Sequence, residues 1–128
     1  MLDYAHQRAI EALKLPRRVV LATSGPAGVQ AGEFPCEAIG LNLYLLVPQT
    51  SDHLFNLEQE PNVTLLAAGW ELKGKARITS PNAAVLELGL LREAGAQWCV
   101  LVRVHPCQLQ IRRQDGWGYL ETIDLQSH

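Results

Sequence analysis

Two stretches of strict alternation restrict what this chain can fold into more than any other feature. Leu72, Gly74, Ala76 and Ile78 alternate with Lys73, Lys75, Arg77 and Thr79. Trp98, Val100, Val102 and Val104 alternate with Cys99, Leu101, Arg103 and His105. Successive side chains of a strand point to opposite sides, so a period of two means one buried face and one polar face. Other short apolar runs share this character. Residues 17–23 centre on Val19-Val20-Leu21 and end at the turn residues Ser24-Gly25-Pro26, and residues 43–47 follow the turn residues Gly40 and Asn42. Residues 63–68 are apolar, Leu109 and Ile111 resume the alternation after Pro106, and residues 118–123 return after the hairpin signal Asp115-Gly116. Residues 28–38 are ambiguous, because Gly32 and Pro35 weaken a central strand.

Helical spacing marks three other segments. Leu2, Ala5, Ala9, Ala12 and Leu13 share a face, and Pro16 ends that helix because the residue before a proline avoids helical geometry. Residues 52–60 carry Leu54 and Leu57 on one face and are closed by Pro61. Ser80-Pro81 pairs a capping residue with a proline at the first helical position, which predicts a third helix to about residue 93, stopped at Ala94-Gly95. Strands in neighbouring pairs with short turns favour an antiparallel barrel over a parallel sheet. The expectation is a mainly β fold with flanking helices, about six strands, and one domain over residues 1–128.

Composition narrows the partners. A net charge of -2 with both signs mixed along the chain gives no nucleic-acid footprint. No apolar run reaches membrane-spanning length. The charged residues Asp3, His6, Arg8, Glu11 and Lys14 are incompatible with a secretory signal. Cys36, Cys99 and Cys107 form no CxxC pattern, so a reducing cytoplasm is the expected setting. Cys99, His105 and Cys107 do not make a metal site, since the first two stand roughly 20 Å apart along a strand.

The run Val19-Val20-Leu21-Ala22-Thr23-Ser24, then Gly28, Leu43-Tyr44-Leu45-Leu46, Ser51-Asp52-His53, Asn56-Leu57 and Glu60-Pro61-Asn62-Val63 resembles the pyridoxamine 5′-phosphate oxidase-like family. The strand with Gly74 and Ala76 is similar to that family's next strand, and the likeness spans about residues 17–79. It implies an antiparallel split β-barrel and a homodimer with FMN at the subunit interface. It also implies that the strand Gln30-Ala31-Gly32-Glu33-Phe34-Pro35 lines the flavin ring; an ordinary edge strand broken by Gly32 and Pro35 is the alternative.

Thr50-Ser51-Asp52-His53 opens a helix whose first turn offers free amides, a positive dipole end and two hydroxyls. The resemblance places the FMN phosphate near it. Ser51 as a plain helix cap is an alternative, and both readings can hold together. The chain departs from the family pattern here: His53 stands where lysine or arginine is usual, and Asp52 adds a negative charge. Lys73, Lys75 and Arg77 are the cations that can compensate, or else they are a solvated strand face. Trp70 fits a ring cover or a core plug.

With no nucleophile motif, P-loop or paired carboxylates, any chemistry is expected to come from a cofactor. Three functions follow: an FMN-dependent oxidoreductase, a non-catalytic protein binding a flavin or phosphorylated small molecule, and a dimeric scaffold that has lost its cofactor. The homodimer is also expected from apolar residues assigned to exposed faces, namely Trp98, Leu101 and residues 63–68.

Overall fold

The structure is a computed structural model that describes residues 4–80, 88–113 and 118–125. In chain order the elements are α1 (Tyr4–Leu13), β1 (Arg18–Thr23), β2 (Gln30–Ile39), β3 (Asn42–Pro48), α2 (Asp52–Gln59), β4 (Asn62–Ala67) and β5 (Trp70–Thr79). Two 3-10 turns, Gly89–Arg92 and Ala96–Trp98, then lead into β6 (Cys99–Arg112) and β7 (Tyr119–Asp124). All strand pairs are antiparallel, in the order β3-β2-β1-β4-β5-β6-β7. A further β3–β6 pairing closes six of the strands into a barrel and leaves β7 as an outer seventh.

The ambiguous stretch is a continuous strand, and its proline explains how. Residues 30–35 pair with β1, whereas residues 36–39 pair with β3. Pro35 therefore sits where β2 leaves one partner for the other, a place where a missing N–H costs little. Pro106 likewise does not interrupt β6. It faces Gly74 beside an irregularity in the β5–β6 register that leaves Cys107 unpaired on that side. The backbones approach closely there: a Cβ on Gly74 would lie 2.6 Å from the His105 carbonyl oxygen.

The barrel interior holds Val19, Leu21, Leu43, Leu45, Val47, Leu65, Leu72, Val102, Val104 and Leu109, with α1 adding Ala9 and Leu13. Trp70 belongs to this core: it is buried, and its Nε1 donates to the Ala12 carbonyl at 3.0 Å. A second cluster lies outside the barrel, where Leu88, Leu90 and Leu101 cover Tyr44 and Leu46. Leu101, Val63 and Leu65 are thus buried rather than exposed, because the 3-10 segment covers Leu101 and β4 turns its odd positions inward. Trp98 does stand out, 68% exposed.

The expected third helix falls partly on residues 81–87, outside the described residues. Its described end is a 3-10 turn, not an α-helix. Asp115 and Gly116 also lie outside the described residues, while Arg112 and Tyr119 on either side are paired across β6 and β7. No helix among the described residues is long and apolar enough to cross a membrane.

Candidate functional site

Two neighbouring environments carry the polar residues singled out from the sequence. One is a buried plug beneath α2. The other is a groove on the outer face of the sheet.

Ser51 caps α2, its Oγ accepting from the His53 amide at 3.2 Å, with Asp52 in the first turn. That places His53, Leu54, Asn56 and Leu57 on the inward side of the helix. The His53 ring is buried, meets Phe34 edge to face at 5.2 Å, and has Nδ1 2.8 Å from the Thr23 hydroxyl. Asn56 is fully buried and completes the plug. Its Nδ2 donates to Thr23 Oγ1 at 3.1 Å and to the Gly28 carbonyl at 2.9 Å, while Oδ1 accepts from the Ala27 amide at 2.9 Å.

Thr23 Oγ1 already accepts from Asn56, so its own proton is best used toward His53 Nδ1. That arrangement leaves the imidazole neutral with its hydrogen on Nε2. Burial pushes the His53 pKa below its ordinary value, against an opposing pull from Asp52. A phosphate ligand would call for the opposite shift. Gly25, with φ of +153°, packs against this plug, where a Cβ would come within 2.8 Å of Asn56 Oδ1.

The strand expected to line a flavin splits between two faces. Gly32 and Phe34 turn toward His53: a Cβ on Gly32 would lie 3.4 Å from His53 Nε2 and 3.3 Å from Phe34 Cζ. Glu33 faces out, accepting from Arg18 Nε at 2.6 Å. Pro35 marks the partner switch of β2, and Thr50 is exposed beside the Ser51 cap.

Lys73 and Lys75 lie elsewhere. They stand exposed on the outer face of β5 while Leu72, Gly74 and Ala76 are buried. With Ala22, Ser24, Val29, Asn62, Thr64 and Cys107 they line a groove of about 420 Å³, within the size range of small-molecule sites. Thr23 is shared: it is among the residues lining the groove, and its hydroxyl anchors the plug. Among the described residues no group of His, Cys, Asp or Glu side chains could hold a metal ion. Cys36 is buried, donates to the Pro16 carbonyl, and has its thiol pushed up to about 11 by burial, which makes it a poor nucleophile.

Sequence reasoning did not bring out two residues of consequence. Asn56 entered only as part of a resemblance, yet it is the plug's central polar group. Arg103 was read as one member of an alternating strand, yet the β5–β6 register sets it directly opposite Arg77. A polar residue on the apolar side of a short helix was the available signal for the first; nothing local signals the second.

No protein-family model matches the chain, and no curated protein matches it. Solved structures do. A putative pyridoxamine 5′-phosphate oxidase from Listeria innocua is similar over 84% of this chain and 97% of its own, with a TM-score of 0.65 and 17% identity. HutZ, the heme storage protein from Vibrio cholerae, is similar over 82% and 93% respectively, with a TM-score of 0.61 and 19% identity. A FAD-binding protein from Mesorhizobium loti is similar over 84% and 90%, with a TM-score of 0.62 and 13% identity. The chain therefore has the split-barrel fold of pyridoxamine 5′-phosphate oxidase-family proteins, a fold on which solved members include flavin and heme binders.

Proposed function

We propose that this split-barrel protein binds FMN along the outer-face groove and works as a homodimer, as an FMN-dependent oxidoreductase on a small-molecule substrate. The observation that carries the reading is the groove itself. It joins apolar surface from Ala22 and Val29 to hydroxyl, amide and ammonium donors from Ser24, Thr64, Asn62, Lys73 and Lys75. That donor set fits a flat aromatic body with an anionic tail. When bound, FMN supplies the hydride or electron transfer for which the chain has no group of its own.

Lys73 and Lys75 hold the phosphate in this reading, and Thr50, exposed at the start of α2, does not line the groove. Ser51 is already engaged as the cap and His53 as part of the plug. Gly32, Phe34 and His53 then act from behind, keeping the β1–β2 wall rigid. The half-buried outer side chains Val20, Ala22 and Leu66, together with exposed Trp98, supply apolar surface for a second copy of the chain.

The test is the visible spectrum of the purified protein, followed by an FMN titration and an NADH or NADPH oxidation assay. A flavin spectrum with turnover supports the enzyme. A flavin spectrum without turnover leaves a binding protein. A Soret band with no flavin affinity moves the assignment to heme, and no binding of either leaves a scaffold. Light scattering at micromolar concentration is expected to give twice the mass of one chain.

A further inference from the structure

The β5–β6 hairpin concentrates positive charge in a way the sequence conceals. Lys75 is the direct cross-strand neighbour of His105, and Arg77 of Arg103. Directly opposed side chains on an antiparallel pair have Cβ atoms about 5 Å apart, and like charges there are destabilising. These side chains line a hollow of about 400 Å³ with Pro61 and Ala76. The hollow is preformed: Ala76 is buried as its floor, and the Ala76 amide donates to the Pro61 carbonyl at 2.8 Å, tying floor to wall. Arg103 is half-buried, which limits its freedom before any ligand arrives.

Among the described residues, no carboxylate lines the hollow. Acids are not scarce, with 13 against 11 bases in the chain, but several are engaged elsewhere, and Glu58 lines the adjoining hollow on the other side of Arg77. Glu33 holds Arg18, and Glu121 holds Arg8. Glu60 feels Lys75, yet its Oε1 already accepts from both the backbone and side-chain nitrogens of Asn62. Among the described residues, neither Arg77 nor Arg103 has an ion-pair partner. Two guanidinium forks and an ammonium facing one hollow match the oxygens of a phosphate group.

We infer that the hollow of Lys75, Arg77, Arg103 and His105 binds the phosphate or pyrophosphate group of a small ligand, separate from the groove that takes the flavin. The two hollows share Lys75, so the ligand lies beside the proposed flavin groove. Arg77 and Arg103 do not line that groove, so replacing them separates a failure of this inference from a failure of the flavin reading.

The test is calorimetric titration of the 128-residue chain with inorganic pyrophosphate at constant ionic strength. Wild type is compared with Arg77→Gln/Arg103→Gln and with Arg18→Gln/Arg112→Gln, which removes the same charge from another part of the sheet. Circular dichroism checks that each is folded. Pyrophosphate affinity should fall about tenfold or more in the first variant and little in the second. FMN affinity should be the same in wild type and in Arg77→Gln/Arg103→Gln. Equal losses of pyrophosphate affinity in both variants, or no pyrophosphate binding by wild type, would overturn the inference. So would a parallel loss of FMN affinity, which would make the hollow the flavin's own phosphate subsite. Tighter binding of a short RNA than of pyrophosphate, abolished by the same variant, would replace the small ligand with a nucleic acid.

Discussion

The plug beneath α2 and the outer face of β5 and β6 both hold polar residues close together, but their polar groups are used differently. In the plug, Thr23, His53 and Asn56 bond to one another and to the β1–β2 turn, and burial holds the imidazole neutral. On the outer face, Lys73, Arg77 and Arg103 have no ion-pair partner among the described residues. The contrast separates structure from function. A polar group whose bonding capacity is met inside the fold contributes stability, whereas charges held near one another without partners keep their capacity for a ligand.

The largest effect that can break this comparison is on the plug. Asn56→Ala leaves the Ala27 amide and the Gly28 carbonyl without their partner, and should cost about 3 kcal/mol of stability in a urea titration. A loss no larger than that of an exposed substitution such as Lys73→Ala would mean the plug is not structural. Next in size is Gly74→Ala. Its Cβ would collide with the His105 carbonyl oxygen and with Val104 Cγ1 at 3.1 Å, so stability should fall by about 2 kcal/mol. Gly69→Ala meets nothing within 4 Å and serves as the comparison.

A smaller effect is expected with pH. The folded pKa of His53 lies below its ordinary 6.5, so within the window beneath that value the unfolded chain binds more protons than the folded one. The contribution is complete above the ordinary value and is lost as pH falls through the window to the lowered folded value. Urea titrations near pH 7.5 and about pH 5 should show wild type losing more stability on acidification than His53→Gln. Equal losses would mean the ring is not held neutral. Smallest is Arg77→Gln, which relieves the opposed pair and should raise the stability read from a urea titration by about 0.5 kcal/mol at most. A clear loss instead would show that Arg77 has a structural partner.

How far the sequence carried depended on the range of the interaction concerned. The outward direction of Lys73, Lys75 and Arg77 was legible because a period of two is local to one strand. The barrel was legible from the pairing of short strands and its split form from the family resemblance, but its closure through β3 and β6 joins strands far apart in the chain and no local pattern encodes it. By contrast, the site was only half legible. His53 was placed correctly at a helix start, but the direction of its ring is set by Thr23, thirty residues earlier. Gly32 through Pro35 were grouped as one wall, yet a strand must put neighbours on opposite faces, and Pro35 serves a change of partner. Arg103 meets Arg77 only through the register of a hairpin with a bulge, which no local pattern encodes.

The central claim is that ligand binding belongs to the outer face and stability to the plug. A flavin fluorescence-quenching titration with FMN tests it most directly, run on wild type, Lys73→Glu/Lys75→Glu and His53→Gln under conditions where all three are folded. Reversing two charges beside the phosphate should weaken FMN at least about tenfold, while His53→Gln should stay within about twofold of wild type. The account is contradicted if His53→Gln abolishes binding while Lys73→Glu/Lys75→Glu binds as wild type does, because the phosphate would then sit at the start of α2.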